Sequence, residues 1–281
     1  MGGMADRTTR AVVHALLANA GTRDFVARLP AFEALGPDAC DALFAARDIP
    51  TELGTHPRDV AEDHWAAFTV AARCWPDRFL ELVRDRPLDI VLLSALGEVD
   101  RPAARELLVA AIGQRAAGNG SRRRFALESL LRLADPRLPD LLVPLVGDRD
   151  SSVRFAAVLA AIDHGDGRLL PRLHRIVDAP RTPPGTREYA LDAIEEIGIR
   201  DGVQVPPDQR RVVTVPRPGR GPSVVTAVHV WTWTRVGAGD RLATLHNGRL
   251  VTAPCAGTVL TIGATVGEAA PPVLFRLTTR H

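Results

Sequence analysis

SSVRFAAVLAAIDHGD, residues 151–166, opens on two hydroxyl side chains, runs through an aromatic followed by alanines, and closes on a short polar turn. Two other stretches fit the same template: SRRRFALESLLRLADP from Ser121 and TREYALDAIEEIGIRDG from Thr186. Phe125, Phe155 and Tyr189 take the same place in the three, each followed by alanine, at spacings of 30 and 34 residues. Self-similarity at such a period marks stacked helical hairpins. Each segment begins with Ser or Thr, whose side-chain oxygen can accept from an unpaired N–H of the first turn, so helices are expected to start there.

Working outward, LPDLLVPLVGD from Leu138 and LLPRLHRIVD from Leu169 read as partner helices, with Pro139 and Pro171 near their starts, where a missing N–H costs little. PLDIVLLSALGEVD and RPAARELLVAAIGQ, with Pro102, form an earlier pair, giving about three and a half repeats. Upstream, DVAEDHWAAFTVAARCW and PDRFLELVRD form another helical pair, while AVVHALLANA and PDACDALFAAR are amphipathic by apolar spacing. The run GDRDSSVRFAAVLAAIDHGD, with Asp150 four residues before Arg154 and then spaced alanines, resembles the second half of a HEAT-like repeat of the phycobilisome-lyase type. The resemblance spans roughly residues 60–200 and implies an α-solenoid in which that Asp and Arg tie loop to helix. The other copies depart from it, with Gly120 and Pro184 where Asp150 has its equivalents. Such arrays serve as scaffolds, nucleic-acid binders and, less often, enzymes.

The texture changes at GVQVPPDQR, a polar, proline-bearing connector that a helix does not continue through. Beyond it, RVVTVP, SVVTAVHVWTWTRV, RLATLH, RLVTAP, GTVLTI and PVLFRLTT are short Val- and Thr-rich runs separated by Gly and Pro, an all-β pattern. Val236-Gly237-Ala238-Gly239-Asp240-Arg241-Leu242 and Ala253-Pro254-Cys255-Ala256-Gly257-Thr258-Val259 resemble two turns of the biotinyl/lipoyl carrier family, either side of a hairpin. That resemblance implies a barrel-sandwich. The carrier's acceptor lysine is missing: the hairpin tip reads Leu245-His246-Asn247-Gly248-Arg249, where Asn-Gly predicts a two-residue type I′ turn. Trp231 and Trp233 alternate with threonine and are expected on one strand face, as a core plug or a contact patch.

The chain contains no lysine, so all 35 of its basic Lys/Arg residues are arginine. Lysine Schiff-base chemistry, a phosphate-loop lysine and amide-linked biotin or lipoate are excluded. From residue 202 onward nine arginines face three acids (Asp208, Asp240 and Glu268), whereas the preceding part is net acidic. A hydrophobic content of 46% over 281 residues can build real cores, and no apolar run approaches the roughly 20 residues of a membrane span. The start, MGGMADRTTR, lacks the pattern of a secretory signal. Three scattered cysteines (Cys40, Cys74 and Cys255) suit a reducing compartment, so the expected location is cytoplasmic.

Candidate chemistry is sparse. His56 and His64, and His164 and His174, are not spaced as helical metal ligands. His246 and Cys255 flank the hairpin, but no third orienting group accompanies them. Arg122, Arg123 and Arg124, with Arg154 and Arg187, start successive repeat helices and could line up as a phosphate-binding ladder. Trp65, Trp75 and Asp77 are residue types that HEAT-like DNA glycosylases use, without a motif to match.

The expected architecture is multidomain α plus β. It comprises an N-terminal helical cap (1–60), an α-solenoid of HEAT-like repeats (61–201), a linker (202–211), and a small lysine-free barrel-sandwich domain (212–281). The expected function is a non-enzymatic scaffold holding a protein or peptide partner, through Arg123, Arg124, Glu128, Arg154 and Glu195 on the helices and Trp231 and Trp233 on the β part. No catalytic residue, metal ligand, cofactor or membrane contact is expected. The alternatives are a nucleic-acid-binding protein of the DNA-repair type and, by family analogy, a lyase for a tetrapyrrole or similar small ligand.

Overall fold

The computed structural model describes residues 25–47, 57–116, 118–205, 210–219, 223–232, 234–264, 266–267 and 269–279. Its chain divides into two compact units, residues 1–138 with 148–156, and residues 139–147 with 157–281.

In the first unit the helices are Phe25–Glu33, Asp38–Arg47, Pro57–Cys74, Pro76–Val83, Ile90–Leu96, Pro102–Gly113 and Gly120–Arg132. Their starts follow local chemistry. Asp89 accepts from the N–H groups of Val91 and Leu92 at 3.1 and 3.0 Å, and Pro76 and Pro102 occupy first-turn positions that need no donor. Ile90–Leu96 packs against both Pro57–Cys74 and Gly120–Arg132, and Pro102–Gly113 packs on Gly120–Arg132. The core beneath them includes an aromatic knot, with Phe44 edge-on to Phe68 at 5.0 Å and tilted to Phe79 at 5.6 Å. Leu92, Leu93, Leu96, Leu108, Leu127 and Leu130 extend it, all fully buried.

The helix starts differ from the hydroxyl caps expected. Ser151 begins its helix, but Asp150 is the residue that accepts from Ser152 and Val153 N–H, at 2.9 and 3.2 Å. Thr186 falls inside the helix Pro184–Arg200 and is buried, and the helix from Gly120 has no side-chain cap.

The second unit holds most of Leu138–Leu145, the later part of Ser151–His164, Leu170–Asp178 and Pro184–Arg200, together with all the strands. The strands are β1 (Val212–Pro216), β2 (Val225–Val228), β3 (Arg235–Val236), β4 (Arg241–Leu245), β5 (Leu250–Thr252), β6 (Gly257–Ile262) and β7 (Val273–Thr278). They form a four-stranded sheet in the order β1-β7-β6-β3 and a three-stranded sheet in the order β2-β4-β5, with antiparallel pairing throughout. Val215, Val236, Leu242, Leu245, Val259, Leu274, Phe275 and Leu277 lie in one buried apolar cluster.

The fold is therefore mixed α and β, with eleven α-helices and two small antiparallel sheets among the described residues, and not the expected α-solenoid followed by a barrel-sandwich. Among the described residues no barrel closes, and the ladders stop early. β3 pairs only through Arg235 and Val236, and bulges interrupt β1, β2, β4 and β6. The compact division falls within Ser151–His164, and the later helices fold together with the sheets.

Two arginines join helix to strand inside this unit. Arg211 donates to Asp192 at 2.6 Å and to Glu188 at 2.5 Å, while Arg276 of β7 meets Asp163 at 2.6 Å and Glu196 at 3.1 Å.

The hairpin tip also differs from expectation. Gly248 N donates to Leu245 O and Leu245 N to Arg249 O, both at 2.9 Å, and Gly248 has φ +75°. Asn247 is not in the left-handed region, so the loop is a three-residue turn closed by a glycine bulge instead of a type I′ turn.

Candidate functional site

Most of the arginines singled out by sequence are turned onto the protein itself. Arg123 is 5% exposed; its Nε donates to Ile112 O at 3.0 Å and its other nitrogens to the Asp148 carboxylate. Arg187 donates to Val177 O at 3.0 Å and Ala179 O at 3.2 Å, and Arg154 to Asp148 O at 2.7 Å. Arg105 and Arg200 do the same for Leu133 O, at 2.9 Å, and for Ile162 O and Gly165 O, at 2.6 and 2.8 Å. Carbonyls left over at a helix C-terminus need donors and carry partial negative charge, and a planar fork of N–H groups can serve several at once. The expected phosphate ladder is thus a set of helix-end clasps. Glu195 is likewise engaged, accepting from Arg211 N at 2.5 Å.

A different group of side chains comes together on three neighbouring helices of the first unit. On Pro57–Cys74, Trp65, Thr69 and Arg73 recur every four residues and so share one face. On Gly120–Arg132, Arg124, Glu128 and Arg132 do the same, with Phe125 beside Arg124. Ser94 and Glu98 lie at the end of Ile90–Leu96 between them.

Contacts stitch the rows together. Trp65 Nε1 donates to Ser94 Oγ at 3.1 Å, and its ring lies 5.1 Å from that of Phe125. Arg132 Nη2 donates to Ser94 O at 2.8 Å and Ser129 Oγ at 2.9 Å. Glu98 bridges Arg73 at 2.8 Å and Arg132 at 3.5 Å. The Arg124 guanidinium lies over the Phe125 ring at 4.7 Å and 3.4 Å from Glu128. Arg124 and Glu128 each keep 38% of their side-chain surface accessible, and Arg132 keeps 41%. Burial pushes the Glu128 carboxyl above the usual range, against the pull of Arg124 and Arg132.

The result is an aromatic floor, Trp65 and Phe125, edged by three arginines and two glutamates. Arg124 and Glu128 were expected here; Trp65, Ser94, Glu98 and Arg132 complete the face. Their four-residue spacing was readable in the sequence, but which helices adjoin was not.

The remaining candidates are placed elsewhere. Trp231 is 74% exposed and precedes a turn, so it is not part of a strand, and Trp233 lies outside the described residues. Trp75 is buried, and Asp77 is exposed and pairs with Arg101 at 3.1 Å. His246 is taken up by Val224 N, from which its Nδ1 accepts at 3.3 Å. His56 lies outside the described residues.

Burial, reinforced by Asp41, pushes the Cys40 thiol up to about 12, and burial with Glu33 takes Cys74 to about 11, so neither is a ready nucleophile. Among the described residues no group of three or more His, Cys, Asp or Glu is placed to hold a metal ion. No helix among them is long and apolar enough to cross a membrane. No protein-family model matches the sequence, and no curated protein matches it.

Proposed function

We propose that this protein is a non-enzymatic interaction protein of the cytoplasm whose first unit holds a partner protein or peptide on the Trp65–Phe125 face. The observation that carries this reading is the combination of paired, partly exposed aromatic rings with arginine and glutamate in near balance. Tryptophan and arginine dominate the energetics of protein interfaces, where a desolvated aromatic anchor is ringed by polar groups. Trp231 offers a further contact in the second unit.

Charge weighs against a polyanion as the preferred ligand. Three arginines on the face meet two glutamates, and the arginines that might have extended a basic tract are engaged with carbonyls and carboxylates. Three free cysteines support a reducing location.

The test is recovery of partners on the full chain from its native cell, with wild type and Trp65→Ala side by side and their melting temperatures matched. A defined protein retained by wild type and lost from the variant is the expected result. Recovery of nucleic acid in its place, or a partner retained equally by both, overturns the reading.

A further inference from the structure

We infer that β5 is an open docking edge, and that an extended, acidic segment of a partner protein adds to it as a fourth strand of the smaller sheet. This site belongs to the second unit and does not depend on the Trp65–Phe125 face.

Parity fixes which backbone groups of β5 are in use. At one end Leu245 N donates to Arg249 O at 2.9 Å; at the other, Ala253 N donates to Asp240 O and Gly239 N to Ala253 O, both at 2.8 Å. Backbone groups alternate in direction along an antiparallel strand, so Arg249, Val251 and Ala253 turn theirs toward β4. Leu250 and Thr252 turn theirs away. The bulge between Arg241 and Ala243 lies in β4, and both ends of β5 give the same parity. β5 ends its sheet, and among the described residues no backbone group takes up Leu250 or Thr252 on the far side. Both residues are exposed, Leu250 at 42%.

The other sheet edges are less available. β1 ends in Pro216, which has no N–H to offer, and β3 holds two residues. Along β2, Val225 O accepts from Gly267 N and Ser223 O from Ala270 N, both at 2.7 Å. Proline and covering chain are common protections of an edge. β5 has neither, and it exposes a leucine beside its unused groups. Such an edge takes an extended peptide through main-chain hydrogen bonds, with side-chain chemistry setting the choice of peptide.

Charge names the occupant. Arg249 precedes Leu250, and Arg241 stands opposite Thr252, so an exposed cation flanks the edge at each end. Neither guanidinium has a hydrogen bond or ion pair with another described residue. Among the described residues from 210 onward Asp240 is the one acid, and its carboxylate accepts from Gly237 N at 2.7 Å. An incoming strand with carboxylates on either side of an apolar residue meets both arginines and Leu250. A second copy of this chain would bring another Arg241 and Arg249 to the seam with no acid to meet them.

The experiment selects peptides from a random dodecapeptide library on immobilised full-length protein. Affinities of the winners are then measured in solution for wild type, Thr252→Pro, Thr252→Val, Arg241→Gln, Arg249→Gln and Trp65→Ala. Thr252→Pro removes an N–H that the β4 ladder does not use, a change edge strands tolerate, and Thr252→Val keeps that N–H. Melting temperatures check that each variant folds. Copies of each winner N-methylated at alternate residues, one odd set and one even set, probe the same bonds on the wild-type protein and decide the matter should Thr252→Pro not fold.

The expected result is a class of winners with acids flanking an apolar residue. Thr252→Pro weakens them at least tenfold, Thr252→Val and Trp65→Ala leave them unchanged, and one N-methylated set is lost while the other binds. Arg241→Gln and Arg249→Gln each cost about two- to fivefold, a difference that disappears when the peptide's Asp and Glu become Asn and Gln. Winners that all bind Thr252→Pro as tightly as wild type, or whose two N-methylated sets behave alike, overturn the edge. If those winners are lost on Trp65→Ala, the reading of that face stands without it. Amide copies that bind as well as the acids overturn the acidic partner. A wild-type dimer that Thr252→Pro dissociates gives the edge to a second copy and overturns the inference, as does a library with no peptide enriched over the bare support.

Discussion

Arg123 and Asp148 are joined by two guanidinium–carboxylate hydrogen bonds across 25 residues of sequence, and both side chains are almost fully buried. Arg123 also holds the carbonyl of Ile112, so one side chain ties the end of the helix Pro102–Gly113 to the turn before Ser151. Removing one partner leaves the other charge buried and uncompensated. Arg123→Ala or Asp148→Ala is expected to lower unfolding free energy by about 3–5 kcal/mol, read by urea denaturation. A loss below about 1 kcal/mol in both variants would contradict the pairing.

Asp150 is expected to make the next helix pH-sensitive. Its carboxylate accepts from Ser152 Oγ at 2.6 Å and from Ser152 N and Val153 N at 2.9 and 3.2 Å. Those bonds, the Ser152 hydroxyl first, hold its carboxyl below the usual range. A folded value below the unfolded one contributes stability that is fully present above about pH 3.9 and is lost as pH falls through the folded value. Asp150→Ala should cost about 1 kcal/mol at neutral pH, and the gap from wild type should shrink in that acid window. A gap that stays constant there would rule the cap out.

Glu128 has the opposite sign. Its carboxyl is raised by burial, so the charged form is less favoured in the folded chain than in the unfolded one. It therefore weakens the fold above its folded value, and the penalty disappears as pH falls toward about 4.3, the unfolded value. Glu128→Gln, which is neutral at every pH, should melt higher than wild type at pH 7 and lose that advantage near pH 4. Melting curves across that range would disprove this if the variant is the less stable one at neutral pH.

How much of this was legible beforehand depends on the range of each interaction. Proline at helix starts needs only the local chain, and Pro102 and Pro171 lie where helices begin. The turn at Gly237 was likewise local: Gly237 N donates to Asp240 Oδ2 at 2.7 Å. What failed was long-range. Aligned arginines looked like an exposed ladder because sequence does not show that Ile112, Val177 and Asp148 offer acceptors beside them.

The barrel expectation failed for a related reason. Turn glycines and alternating valines specify hairpins, but closure depends on ladders continuing past residues such as Val215 and Val259, where bulges interrupt them. The aromatic face was half legible. Trp65 and Arg73 share a helix face by spacing, whereas the approach of Phe125 to Trp65 across 60 residues is set by packing.

Gly257 lies close against the backbone of the neighbouring strand in the larger sheet. A Cβ placed there would meet Thr278 O at 2.5 Å, the carbonyl of the neighbouring strand, and Leu277 Cβ at 3.6 Å. β6 and β7 pair over Thr258–Thr278 and Val259–Leu277, and Val259 and Leu277 are fully buried on that pairing. Backbone cannot swing aside as a side-chain end can, so β6 would have to part from β7 at its start. Gly257→Ala should therefore destabilise the second unit by about 1–3 kcal/mol, although alanine is otherwise the mildest change from glycine. Amide exchange at Val259 is the sharper readout, because the loss is local to this end of the sheet. Faster exchange there with the helix Gly120–Arg132 unaffected is the expected pattern, and protection unchanged at Val259 would show that the strands are not so close.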